Sequence, residues 1–254
     1  MREKPTDLAH MIRLALQAQI DLGMGEAVIR PDRQDMTTSL AIPPGGIPAS
    51  DISNVEEQAA AMTLPTRPTE YESLEVHRSA ICDCQRCDLG KTRNKFVYGV
   101  GRTDADLLFI GEAPGADEDR LGEPFVGRAG QLLDRILAAI QLSRQEVYIA
   151  NILKCRPPNN RDPQPDEMEQ CFEYLRAQVH LIQPKLICAL GRIAAQALLK
   201  TTTPLGRLRK KWHEYEGVPL LVTYHPAALL RFQQYKRDTW EDMQMLKARY
   251  DSIV

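Results

Sequence analysis

The sequence predicts an α/β domain built on a parallel sheet with right-handed crossovers. From Asp104 onward, a short apolar run, a turn-rich loop and a helical stretch follow one another four times. The apolar runs are short and lack polar alternation, as strands covered on both faces do. Polar residues with chemical capacity sit just after three of these runs, at the carboxyl ends of strands, where sheets of this kind bind ligands.

Length and composition are compatible with such a domain. The chain has 254 residues, of which 43% are hydrophobic, enough for a sizeable core. It contains no uninterrupted apolar run of about 18 residues, and its start lacks the basic, apolar, small-residue order of a secretory leader. These features predict no membrane association and a cytoplasmic address. Six cysteines in a chain without an export signal point to metal ligation or burial rather than disulfides. The net charge of −2 is unevenly distributed. Residues 1–75 carry 6 Lys+Arg against 12 Asp+Glu, leaving 26 against 22 in residues 76–254. An acidic arm joined to a mildly basic domain is compatible with a nucleic-acid partner.

Taken in order, Leu8–Leu22 has apolar residues at helical spacing (Leu8, Met11, Ile12, Ile20) and predicts one amphipathic helix. Ile42–Arg67, with Pro43, Pro44, Gly45, Gly46 and Pro48, has the composition of a linker. Residues 1–75 are therefore expected to form a poorly ordered extension, and 76–254 the folded domain. Strands are expected at Leu107–Ile110, Val147–Ile152, Leu186–Leu190 and Leu220–Thr223. Helices are expected at Ala129–Ile140, Pro165–Ile182, Ile193–Leu199 and Ala227–Arg249.

Cys84-Gln-Arg-Cys87 presents two sulfurs at the spacing of a metal knuckle, whereas Cys155 and Cys171 lie far downstream. From spacing alone the downstream pair is either part of a cluster that staples distant elements or simply buried. Cys82 and Cys188 read as ordinary cysteines, one outside the knuckle and one in mid-strand.

The run Gly111-Glu-Ala-Pro-Gly115 follows the first strand, and its glycines and proline let the backbone approach a flat ligand. It lacks the Gly-Lys-Ser/Thr ending of a phosphate loop and the spacing of a dinucleotide fingerprint. Glu112 and Glu118 are the candidate carboxylates. Phe125, alone in a glycine-rich loop, reads by itself as a core anchor, with base stacking as the alternative. Asn151 ends the second strand with a donor and an acceptor to offer a base edge, against the bland reading of a turn residue. His225, before Pro226, ends the last strand and can stabilise charge on a leaving group. Arg207, Arg209, Lys210 and Lys211 offer phosphate contacts, and Leu229, Leu230 and Arg231 a wedge into a duplex. A solvated basic loop and a helix start are the equal alternatives.

Gly-Glu-Ala-Pro-Gly (111–115), Pro-Phe-Val-Gly-Arg-Ala-Gly-Gln-Leu-Leu (124–133), Asn-Ile-Leu-Lys-Cys-Arg-Pro-Pro (151–158) and His-Pro-Ala-Ala-Leu-Leu-Arg (225–231), in this order with the four cysteines, resemble the type-4 (family 4) uracil-DNA glycosylases. The resemblance covers roughly residues 80–250. It implies a three-layer α/β/α sandwich with a four-stranded parallel sheet, and a 4Fe-4S cluster held by Cys84, Cys87, Cys155 and Cys171. It implies uracil bound by Glu112, Ala113, Pro114, Glu118, Phe125, Asn151 and His225, so that Phe125 stacks on the base. Glu112, Glu118 and His225 are then the expected catalytic groups, and Arg231, Arg209 and Lys210 the expected DNA contacts. The implied activity is monofunctional: uracil is flipped from single- or double-stranded DNA and cut from its sugar by a monomeric enzyme, leaving an abasic site. Where the related family 1 carries a water-positioning aspartate, this sequence has Ala113, so Glu112 is the candidate activator. Pro157–Pro165 contains no histidine, which argues against the related branch that becomes covalently trapped on its product.

Overall fold

The computed structural model describes residues 71–253. The helix expected at Leu8–Leu22 and the linker at Ile42–Arg67 lie outside the described residues. The first described helix, α1 (Leu74–Ile81), begins before the expected domain boundary at residue 76. Ser73 caps it by accepting the Val76 N–H, and Leu74, His77 and Ile81 form its buried stripe.

After the short helix α2 (Leu89–Thr92) come strands β1 (Val100–Gly101) and β2 (Leu107–Gly111), then helices α3 (Ala116–Leu121) and α4 (Arg128–Ala139). Strand β3 (Tyr148–Asn151) leads into helix α5 (Pro165–Ile182), and strand β4 (Leu186–Leu190) into helices α6 (Arg192–Leu198) and α7 (Leu205–Leu208). Strands β5 (Trp212–Tyr215) and β6 (Val218–Thr223) precede helices α8 (Pro226–Arg231) and α9 (Tyr235–Ile253).

Among the described residues these strands form one six-stranded sheet in the order β1-β3-β2-β4-β6-β5. The expectation of a four-stranded parallel sheet is corrected to a mixed one. The four expected strands are parallel and occupy the middle, while β1 runs antiparallel to β3 at one edge and β5 antiparallel to β6 at the other. Both edges escaped the sequence reading for physical reasons. β1 has two residues and no period. β5 reads Trp-His-Glu-Tyr and is only partly buried, as an edge strand is, and it returns through a tight turn with Glu216 and Gly217 both at positive φ.

Alternation along the central strands sends side chains to two cores. Leu108, Ile110, Ile187 and Val222 pack with residues of α1, α5 and α6, whereas Leu107, Phe109, Cys188 and Leu221 pack with α4, α8 and α9. Helices thus cover both faces. The span of α5 matches the expectation, starting at Pro165 behind a Gln164–Glu167 capping box and ending at a left-handed Gln183.

The single helix expected over Ala227–Arg249 is two helices, because α8 stops at an extended Phe232. No glycine or proline marks that break. Aromatic packing accompanies it: Tyr235 stacks on Tyr224 at 4.2 Å and meets Phe232 at 5.7 Å. No helix among the described residues is long and apolar enough to cross a membrane.

Candidate active site

The loops after β2, β3 and β6 enclose a cleft of about 380 Å³, walled in part by Glu112, Glu118, Phe125, Asn151, His225 and Arg231. The sites predicted on separate strand ends are therefore brought together. Ala113 and Pro114 also line it.

At its floor, Gly111 lets two side chains converge. A Cβ there would lie 2.7 Å from Phe125 Cζ and would also strike the Asn151 carboxamide oxygen. The Phe125 ring is 5% exposed, with φ of 54°, so it is both a core residue and a wall of the cleft. Arg144 fixes its loop by donating to the carbonyls of Pro124 and Phe125. Asn151 is buried, and its Oδ1 has no hydrogen-bond partner. A buried, unpaired acceptor in a cleft wall costs free energy unless a ligand satisfies it.

Glu118 acts inside the protein first. Its carboxylate accepts the N–H groups of Gly115 (3.1 Å), Val126 (3.0 Å) and Gly127 (3.0 Å), clamping the loop after β2 to the loop that carries Phe125. With both oxygens engaged, it presents bulk and charge to the cleft rather than a free base.

His225 caps α8, where its Nδ1 accepts the Ala227 N–H at 3.1 Å. Burial drives its pKa down to about 4, against the opposing pull of the Glu118 charge. The ring is therefore neutral at pH 7 with its proton on Nε2. Its centroid lies 5.4 Å from that of Phe125, tilted by 33°. Gly191, at φ 94°, makes room behind it, since a Cβ there would meet His225 Cβ at 2.8 Å.

Glu112 has the opposite shift. Burial, reinforced by the negative charge of Asp162 and resisted by Arg192, raises its pKa to about 7. Asp162 and Arg192 pair at 2.8 Å. Neither was singled out in the sequence, because two charges 30 positions apart carry no local signal.

The expected phosphate contact at Arg209 is corrected. Its side chain is 5% exposed, bonds Asp242 at 2.7 Å and Asp238 at 3.2 Å, and lies over the Tyr224 ring. Those bonds leave the guanidinium no route to a phosphate. Lys210 is exposed and paired to Glu241 at 2.7 Å, outside the cleft lining. Leu229 is fully buried and belongs to the core, so it is no wedge. Arg231 is exposed on the rim, and beside it Phe232, 49% exposed, is the apolar side chain the sequence reading missed. Its exposure follows from the break after α8, which the sequence does not announce.

Away from the cleft, Cys84, Cys87, Cys155 and Cys171 all pack at the same core, and all are free thiols. Among the described residues, no three His, Cys, Asp or Glu side chains converge tightly enough to hold one metal ion. Ligation of a single ion would need every sulfur within about 2.3 Å of one point. Burial pushes the Cys155 thiol up to about 11 and the Cys171 thiol up to about 12, and the neighbouring cysteines add to the rise. Polar hydrogens are aimed at them. Tyr174 Oη donates to Cys84 Sγ at 3.2 Å and Arg93 to Cys155 Sγ at 3.3 Å. These four cysteines, packed at one core with Tyr174 and Arg93 donating to two of them, are the residues that would hold a multi-iron cluster, whose ligands need not converge on a single point.

Comparison with known proteins supplies an independent finding. The sequence profile of the Uracil DNA glycosylase superfamily matches residues 98–244. The chain is 46% identical to a type-4 uracil-DNA glycosylase of Archaeoglobus fulgidus over 69% of this chain and 92% of that protein. It is 37% identical to one of Thermotoga maritima, over 71% and 96% respectively. A type-5 uracil-DNA glycosylase of Pyrobaculum aerophilum is 32% identical over 61% of this chain and 76% of that protein.

Proposed function

The chain belongs to the uracil DNA glycosylase superfamily and excises uracil from DNA by hydrolysing its N-glycosyl bond, and we propose that it does so in the cleft beneath Phe125. The observation that carries this placement is the buried Asn151 Oδ1 without a partner. Uracil offers that oxygen its N3–H and offers the amide N–H₂ its O4, whereas cytosine reverses both. A base inside a duplex cannot reach such a site, so the nucleotide is flipped out, with the Phe125 ring against its face. Ala113 and Pro114 form the adjoining wall, and the clamped Glu118 crowds the cleft against a larger pyrimidine.

Bond cleavage leaves negative charge on the departing uracil. His225, neutral and with Nε2–H free, donates to the charged oxygen at no cost in ring protonation. Ionised Glu112, with its pKa near 7, activates water for attack on the sugar. Arg231 at the rim binds phosphate, and Phe232 takes the wedge role on the duplex that Leu229 cannot fill, in single- or double-stranded DNA. All these groups come from one chain, so a monomer suffices.

The four cysteines in this reading hold a 4Fe-4S cluster. It is supported by their common packing, their donors and the resemblance to type-4 relatives. Cys84 and Cys87 after α1, Cys155 in the loop after β3 and Cys171 in α5 would be cross-linked by such a cluster, which would supply rigidity beside the site. Incubation with a uracil-labelled oligonucleotide tests the function: free uracil and an alkali-labile strand are expected, with no adduct on a denaturing gel. Absence of free uracil would refute it. Absorbance near 400 nm tests the cluster separately.

A further inference from the structure

Phe125 has φ of 54°, in the left-handed region that bulky side chains rarely adopt. Among the described residues other than glycine with positive φ, it is the one apolar side chain. Such a conformation costs free energy and persists only where the surroundings enforce it. Three contacts do so. The first turn of α4 presses on the Phe125 carbonyl so closely that a Cβ on Gly130 would lie 1.7 Å from its oxygen. The Glu118 carboxylate holds the next two N–H groups, of Val126 and Gly127, each at 3.0 Å. Arg144 donates through Nη1 to the Pro124 carbonyl at 3.0 Å and through Nη2 to the Phe125 carbonyl.

Of the three, the Arg144 fork selects the conformation. Consecutive carbonyls point in opposite directions along an extended chain and in nearly the same direction in a helical turn of either hand. A rigid guanidinium can donate to both only in the second case. Its Nε donates to Asp134 on α4 at 3.0 Å, which braces the fork against that helix. The Arg144 side chain is 20% exposed and does not line the cleft. The ring it holds does line the cleft, 5.4 Å from the His225 ring. A change of φ at Phe125 would swing its Cβ about the main chain and carry the ring out of that wall.

We propose that Arg144 is a positioning residue for base recognition: its guanidinium, braced by Asp134, locks the Phe125 main chain in the left-handed conformation that keeps the ring in place as the face on which the flipped uracil stacks. The proposal rests on the reading that uracil stacks on Phe125. It gives the strained backbone a purpose, since a relaxed Phe125 would present no fixed face to the base.

The test is Arg144→Met in steady-state release of uracil from an oligonucleotide. KM should rise about tenfold, the scale of losing one stack of a base on an aromatic ring, with kcat within about threefold of wild type. A merely structural role would instead deplete active protein, lowering kcat and leaving KM alone; that result, or an unchanged KM, overturns the proposal. Phe125→Gly removes the ring and adopts the left-handed conformation without strain. In that background Arg144→Met should raise KM no further, and a second full rise overturns the proposal. If Arg144→Met does not fold, Arg144→Lys replaces it, keeping the charge without the two-pronged fork. The same rise in KM is then expected, and an unchanged KM overturns the proposal. Wild-type kinetics in Phe125→Gly alone would refute the stacking reading itself, a result distinct from failure at Arg144.

Discussion

The Ala227 N–H donates to Nδ1 of His225 at 3.1 Å, and this contact decides which nitrogen of the ring faces chemistry. An imidazole that accepts at Nδ1 and is kept neutral by burial carries its proton on Nε2, ready to donate. His225→Ala should lower single-turnover uracil release by about 10²–10³-fold, the usual effect of losing one donor to a developing anion. Affinity for uracil-free DNA should be little changed.

Glu112 predicts the pH dependence. With a pKa near 7, its ionised form is depleted below neutrality, so kcat/KM should fall about tenfold per unit on the acid side. Asp162→Asn removes a neighbour that raises this pKa and should move the profile to lower pH. Glu112→Gln should cost about 10²–10⁴-fold at pH 8. A profile unmoved by Asp162→Asn would detach Glu112 from the rate.

Stability should respond to acid through two histidines. Burial lowers both His77 and His225 to about 4, so in the range from 6.5 down to 4 the unfolded chain takes up protons that the folded chain refuses. The histidine contribution is complete above about pH 6.5 and declines as pH falls toward 4, while Glu112, raised to about 7, works in the opposite direction over that range. Urea unfolding at pH 7 and pH 4.5 should show the loss, and His77→Gln should reduce it.

Base choice should follow Asn151. Asn151→Asp presents acceptors alone, which repels uracil O4 and suits the amine of cytosine. Uracil release should drop at least about tenfold while the ratio of cytosine to uracil excision rises. An unchanged ratio, read by chromatography of released bases, would remove Asn151 from recognition.

Arg209 and Arg231 should separate stability from binding. Arg209→Ala strands the buried Asp242 and should cost about 3–5 kcal/mol in unfolding free energy. Arg231→Ala should leave stability alone and reduce the salt slope of DNA binding by about one.

How much of this was legible in the sequence depended on the range of the signal. The central strands were plain because Leu107–Ile110 and Leu186–Leu190 are apolar runs that need two helix layers to cover them. Strand-end position singled out Glu112, Asn151 and His225 as candidates, and their expected roles came from the resemblance. β5 was not, since an edge strand exposes polar side chains and imitates a loop. The break after Arg231 and the burial of Arg209 depend on contacts with Tyr224, Tyr235 and Asp242, which sequence neighbours do not report.

The most direct test of the site is single-turnover release of free uracil from a labelled oligonucleotide by wild type and by Asn151→Ala, His225→Ala and Glu112→Gln. Wild type should release all the uracil and leave an alkali-labile site, with each variant slowed at least about a hundredfold while still folded. Wild-type rates in all three variants would place the chemistry elsewhere in the protein.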